Sequence, residues 1–403
     1  MLSTELARSA TERALEVAGR LAGRSEQEPG LDGSAGQALL FGQLDRIAPG
    51  EGWERHAHRA LTAAVRGLES SGRNHPGLFV GIGGIATAAA YLSREGTRYG
   101  GLLATLDDRL ATATAEQSAE FASSPANRPY EAFDVICGLA GLERYLVLRG
   151  RPELAGLVAL CDSGPDAPNW FTPPDAIRQG TSIAEWYENG VYNCGLAHGI
   201  PGPLAALSIA LSHGYVVPRQ VAAVARTSEW LVAQRIDDEW GVNWPSCVTR
   251  SGSPEAPAQA AWCYGSPGVA RSLFLAGQAI GDDKLRQLAI EAMFAVLRRP
   301  WPARLTGDSP GLCHGVAGLL QIVLRFAHDT DEPLFTKAAV ELTERVLELY
   351  RPELATGYYS RKPATGELRE HGGLLDGAAG VALALLAAST PVEPVWDHVL
   401  LLS

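Results

Sequence analysis

The sequence predicts an all-α fold: an (α/α)7 double toroid of seven inner and seven outer helices, with irregular loops at one end. Three observations predict it. Seven Gly-x-x-Gly turns, beginning at Gly33, Gly81, Gly138, Gly199, Gly265, Gly315 and Gly377, each lead into an apolar helical run. Amphipathic stretches fill the intervals between them, roughly fifty to sixty-five residues per repeat, the signature of a repeat architecture. The first and last turns, LDGSAG and LDGAAG, are nearly identical, which favours a closed ring over an open solenoid, whose capping repeats diverge.

Taken in order, residues 1–24 carry Glu5, Arg8, Glu12 and Arg20 without an uninterrupted apolar stretch, and read as an amphipathic helix instead of a signal peptide. The glycine-led runs, such as GIATAAAYL and GVALALL, are apolar on nearly every face, as buried inner helices should be. Return helices with one polar face are expected over 55–68, 103–121, 218–236, 283–297 and 334–349. Two connections, 161–193 and 237–258, are rich in Pro, Gly and aromatic residues and read as ordered loops with short strands. Trp240, Trp244, Tyr358, Tyr359 and Arg361 sit in such loops, where they would either line a cleft or pack beneath the loop. The whole chain, 1–403, is expected to form one domain, with these loops as insertions.

The totals exclude several classes. At 46% hydrophobic and 20% charged the composition is that of a globular protein. A net charge of −11 argues against nucleic acid or an anionic membrane as the main partner. No stretch reaches the length of apolar residues that spans a bilayer, so a cytoplasmic location is expected. Six cysteines in 403 residues are too sparse for a disulfide scaffold, which leaves ligand or nucleophile as their functional roles.

If the seven turns are equivalent, the residue before each first glycine lies on one rim. Those residues are Asp32, Val80, Cys137, His198, Tyr264, His314 and Asp376, with Cys263 and Cys313 one place earlier. The register therefore gathers two thiols and two imidazoles. Cys263, Cys313 and His314, from consecutive repeats, make a Cys2His set, the composition of a catalytic zinc site with its fourth position open. Soft sulfur with nitrogen favours zinc over magnesium or calcium. The competing reading leaves the cysteines as inert core residues.

The turns WCYGSPG, LCHGVAG and NCGLAHGIPG resemble the signature turns of the lanthionine synthetase C-like family, and all seven glycine turns fit that family over essentially the whole chain. The resemblance implies a zinc-dependent lanthipeptide cyclase that adds peptide cysteine thiols to dehydroalanine or dehydrobutyrine. It implies Cys263, Cys313 and His314 as ligands of one zinc ion, His198 as the active-site histidine, Asp134 as its acidic partner and Tyr264 as a pocket residue. It further implies a dehydrated precursor peptide as substrate, and a dehydratase and an exporter as partners that would hold the chain at the membrane periphery. Cyclases of the family often carry arginine four residues before the first zinc cysteine; here that position is Gln259.

Each assignment has a plainer alternative. Asp134 would otherwise cap the third inner helix, Tyr264 would pack on a neighbouring turn, Cys137 would be a small buried residue and Arg271 an ion-pair partner. Three other functions compete: a glutathione-adding enzyme using the same zinc, a carbohydrate-active toroid using Asp32 and Asp376 as paired carboxylates, and a metal-stabilised scaffold with Cys137 as fourth ligand. The loops 161–193 and 237–258 are the expected peptide contacts.

Overall fold

The structure, a computed structural model, describes residues 2–24, 28–72, 74–164, 167–251, 257–305, 309–361 and 367–403. Parts of the two expected irregular loops, 165–166 and 252–256, lie outside the described residues. In chain order the helices are α1 (Thr4–Leu21), α2 (Ser34–Ile47), α3 (Trp53–Ser71), α4 (Ile82–Leu92), α5 (Gly100–Ser123), α6 (Leu139–Leu148), α7 (Ala155–Cys161) and α8 (Ser182–Trp186). They continue with α9 (Pro201–Ser212), α10 (Gln220–Ala233), α11 (Ser266–Ile280), α12 (Asp283–Arg298), α13 (Trp301–Arg304), α14 (Val316–Asp329), α15 (Pro333–Glu348) and α16 (Ala378–Ser389). Each of the seven glycine turns is followed by its helix: α2, α4, α6, α9, α11, α14 and α16. Before and between them in the sequence stand α1, α3, α5, α7, α10, α12 and α15, and the architecture is the all-α one expected from the repeats.

The contacts group into two compact units, one of residues 1–106 with 301–397, the other of 107–300 with 398–403. In the first, the inner helices pack side by side in the order α14, α16, α2, α4, so the last repeat meets the first. The outer helix against α16 is α1 from the far end of the sequence. The amphipathic pattern of α1 is plain in the sequence, but its partner is set by tertiary packing that no local pattern encodes. Ser3 caps α1 by accepting the Leu6 N–H. α16, AAGVALALLAAS, is buried from Ala378 through Leu386 because its neighbours cover every face.

In the second unit α6, α9 and α11 pack in that order, with α10 and α12 on α11 and α7 on α10. α9 is buried from Pro201 to Ala210. α12 starts where the Asp282 carboxylate accepts the N–H groups of Lys284 and Leu285. The outer helix of the third repeat, α7, has only seven residues, too few to show a helical period, and is absent from the expected return stretches. The stretch 218–236 is helical only from Gln220 to Ala233, its end turning into a strand.

The irregular connections form short strands, as expected. β1 (Phe171–Thr172), β2 (Val191–Asn193) and β5 (Cys247–Val248) make an antiparallel sheet with β2 in the centre, joining the two long loops. β3 (Ile236–Asp238) and β4 (Gly241–Asn243) form a hairpin, as do β6 (Ser360–Arg361) and β7 (Leu368–Arg369) in the first unit. Trp244, Tyr358 and Tyr359 are all buried, so these loop aromatics serve packing instead of lining a cleft. The Trp244 indole N–H finds the Leu231 carbonyl and the Tyr358 hydroxyl the Val346 carbonyl. No helix among the described residues is long and apolar enough to cross a membrane.

Candidate functional site

The glycine turns hydrogen-bond to one another and so hold their functional side chains in register. In the second unit the Val135 N–H donates to Ala197 O and the Ala197 N–H to Cys263 O. In the first, Leu312 and Cys313 both donate to Leu375 O, and Leu374 donates to Leu31 O. Such close approach needs small residues. A Cβ on Gly195 would stand 2.5 Å from both the Cys263 carbonyl oxygen and the Tyr264 ring. Gly265, which opens the turn after Cys263, has φ +91°, a conformation that glycine adopts without cost. The rim inferred from sequence register thus has a physical basis in a backbone ladder of turns.

On this ladder the second unit builds a histidine–aspartate pair. The Asp134 carboxylate, wholly buried, lies with Oδ2 2.6 Å from His198 Nδ1. Its other oxygen accepts the N–H groups of Cys137 at 2.6 Å and Gly138 at 2.9 Å. Both readings of Asp134 therefore hold at once: it caps the start of α6 and it grips the imidazole. A buried carboxylate with three donors is satisfied in a way an isolated one would not be. With Nδ1 committed to Asp134, Nε2 is the free nitrogen of His198, whose side chain is 34% exposed. The Tyr130 ring stands edge-on to the imidazole at 5.8 Å.

Tyr264 follows Cys263, and its hydroxyl oxygen accepts the Asn193 side-chain N–H at 3.0 Å. Burial pushes the phenol well above its ordinary pKa, so it stays protonated and keeps its own O–H to donate. Asn193 is held in turn by its Oδ1, which accepts the Gly195 N–H at 2.9 Å. Sequence reasoning missed Asn193 and Tyr130. Asn193 opens the NCGLAHGIPG turn, and an amide at the end of a strand leading into that turn was the available signal.

The first unit brings Cys313 and His314 to the start of α14. A hydrogen bond that His314 donates to the Cys313 sulfur raises its pKa to about 9 against the opposing effect of burial, with the negative charges of Cys313 and Asp376 adding to it. A thiolate and an imidazolium side by side hold a proton that a cation would replace. Asp376 Oδ1 lies 3.8 Å from His314 Nδ1. Asp32, expected beside Asp376, accepts the backbone N–H groups of Leu375 and Asp376 and so ties the first turn to the last. Burial, against the pull of His371, raises its carboxyl to about 6.

Cys263, Cys313 and His314 form a cluster fit to bind a metal ion: each offers one ligand atom, and these atoms lie within 4.8 Å of one another. It is the one such group among the described residues. Two thiolates and an imidazole are a zinc-type donor set. Cys137 is outside it; burial, with Asp134 and Glu131, pushes its thiol up to about 12, which keeps it protonated and a poor ligand. Arg271 is 1% exposed on α11, its Nε–H donating to the Leu402 carbonyl at 2.6 Å, so it clamps the C-terminal segment. The Gln259 carbonyl accepts the Ala261 N–H, and its carboxamide makes no hydrogen bond among the described residues.

Comparison with known proteins bears on the family and the fold. Residues 30–401 match the family described as lanthionine synthetase C-like protein. The nisin biosynthesis protein NisC of Lactococcus lactis subsp. lactis is 24% identical over 355 residues, covering 81% of each chain. The solved structure of a nisin cyclase superposes with a TM-score of 0.80 at 22% identity, over 99% of this chain and 98% of that one.

Proposed function

Since this chain belongs to the lanthionine synthetase C-like family, we propose that it is a zinc-dependent lanthipeptide cyclase, closing thioether rings between cysteine and dehydroalanine or dehydrobutyrine within one peptide. The gathering of Cys263, Cys313 and His314 carries the reading. These three would be the protein ligands of one zinc ion. A zinc ion bound there supplies one thing: it holds an incoming thiol, whose ordinary pKa is about 8.5, as its thiolate at neutral pH.

The rest is done by the chain's own residues. As sulfur bonds to Cβ of the dehydroamino acid, the C=C π pair moves onto the adjacent amide as an enolate, and Cα must then gain a proton. Asp134 holds Nδ1 of His198 and leaves Nε2 uncommitted, so protonated His198 gives that proton from Nε2. The proton lost by the substrate thiol returns to the imidazole through solvent, and the balance closes with no other reactant. Tyr264, fixed by Asn193, donates its O–H to the enolate oxygen, the task a cation would do more strongly at the position of Gln259. Working on a dehydrated precursor peptide, the chain would act in the cytoplasm beside a dehydratase and an exporter.

The test is a purified-protein reaction with a dehydrated, cysteine-containing lanthipeptide precursor, read by mass spectrometry with and without thiol alkylation. Ring closure removes alkylatable thiols and leaves the mass unchanged. An increase by the mass of glutathione, when glutathione is supplied, would favour the glutathione-adding alternative; thiols persisting at the no-enzyme level would reject both.

A further inference from the structure

A cleft in the first unit, away from the glycine turns, is lined by Arg55, Arg59 and Arg98 against one carboxylate, Glu54, on a chain of net charge −11. It has a volume of about 850 Å3 between the starts of α3 and α5, and a second cavity of about 440 Å3 shares Glu54, Arg98 and Tyr99 with it. From α3 it receives Arg55 and Arg59, and from the loop before α5, Arg98 and Tyr99. The acidic side chains at its edge are already engaged, since Arg94 pairs with both Asp45 and Glu54. Arg55, Arg59 and Arg98 form no ion pair among the described residues; Arg59 meets only the His56 ring, at 2.7 Å. Burial, with Arg59 and Arg55, holds that imidazole below its usual pKa, a second sign of positive potential.

We propose that this cleft is a docking site for an acidic, extended segment of the peptide substrate, held at a distance from the reacting thiol. The inference rests on the peptide-cyclase reading for the identity of the ligand, but its geometry is independent of it. Arg55 and Arg59 are one helical turn apart on one face, a rise of about 6 Å. Carboxylates at alternate positions of an extended chain are spaced by about 6.6 Å, so two can meet the two guanidiniums while Arg98 takes a third. A lone phosphate would leave most of the volume empty. An anionic bilayer needs a protruding face with apolar side chains to insert, whereas this surface is concave and none of the exposed large hydrophobic residues lines it.

The position sets a length. Inner helices start at the turns and α3 and α5 start at the opposite end, so α2, fourteen residues long, separates the cleft from the rim of the first unit. That is about 21 Å of helix, or at least about six residues of extended peptide. A segment docked here must therefore be joined to the reacting cysteines by a longer tether.

The experiment measures fluorescence anisotropy of a labelled twelve-residue peptide of alternating Glu and Ala. The full-length chain is compared with its Arg55→Ala, Arg59→Ala, Arg98→Ala triple variant, whose substitutions lie on the surface. Alternating Lys and Ala, inorganic phosphate and vesicles of phosphatidylglycerol are run in parallel. The acidic peptide is expected to bind in a salt-sensitive way and to weaken about tenfold in the triple variant, exposed pairs being individually modest; the Lys peptide is expected not to bind. Equal affinity of the two forms, absence of binding at low salt, or preference for phosphate or vesicles would overturn the proposal. No turnover is involved, so a chain that binds but does not cyclise, or cyclises but does not bind, separates this inference from the proposed activity.

Discussion

Replacing Asp134 by Asn separates capping from catalysis. The carboxylate accepts three hydrogen bonds, two from the backbone at the start of α6 and one from His198. Asparagine is nearly isosteric, and its Oδ1 can keep both backbone donors. Hydrogen bonds to a charged acceptor are worth about 1.5–3 kcal/mol against about 0.5–1.5 for a neutral one. Keeping the two as neutral bonds therefore costs about 2 kcal/mol of stability. The third cannot survive unchanged, because the Asn amide presents N–H to His198 Nδ1. The imidazole must then either turn away or take the tautomer with its proton on Nε2. A positioned acid contributes about 10²–10⁴ in rate, so ring closure is expected to fall by a factor in that range while metal content stays that of the parent chain. Single-turnover ring formation, followed by alkylation and mass spectrometry at saturating peptide, gives the rate; thermal melting gives the stability. A variant with lower stability but an unchanged rate would leave Asp134 a helix cap and remove His198 from the acid's role.

Two further outcomes follow from buried titratable groups. Cys137→Ser should leave both zinc stoichiometry and ring closure at the level of the parent chain, because the thiol, pushed up to about 12, stays protonated; loss of metal by elemental analysis would make Cys137 a ligand after all. Glu143, buried on α6 and accepting the Glu153 N–H, has its carboxyl raised to about 8, chiefly by burial. The unfolded chain gives up this proton near pH 4.3 and the folded chain only near 8. The stability it contributes is thus complete below about pH 4.3 and is lost as pH rises through 8, at no more than about 1.4 kcal/mol per pH unit. Melting curves between pH 5 and 9 should therefore converge on, then fall below, those of Glu143→Gln; parallel curves would show that Glu143 is ionised in the folded protein.

Much of this fold is written in local pattern. The Gly-x-x-Gly turns do what the sequence suggests because the chain folds back on carbonyls of its own preceding segment and leaves no room for a Cβ, as at Gly199 against Asn193 and Gly265 against Gln259, so the glycines mark the inner helices directly. Cys313 and His314 were legible for the same reason: the repeat register that the ladder enforces is visible in the chain. What escaped depends on contacts far apart in sequence or on elements too short to show a period. The pairing of α1 with α16, the seven-residue α7, and Arg271 reaching the Leu402 carbonyl are of this kind. Asn193 opens a recognisable turn, but its role escaped because its partner, a tyrosine seventy-one residues later, is set by tertiary packing.

The metal centre is tested most directly by X-ray absorption at the zinc edge on protein purified without added metal. One zinc per chain with two sulfurs at about 2.3 Å and one imidazole nitrogen at about 2.0–2.1 Å is the expected result, with one sulfur lost in either Cys263→Ala or Cys313→Ala. A metal shell lacking sulfur, or one unaltered by both substitutions, would contradict the assignment of Cys263, Cys313 and His314 as its ligands.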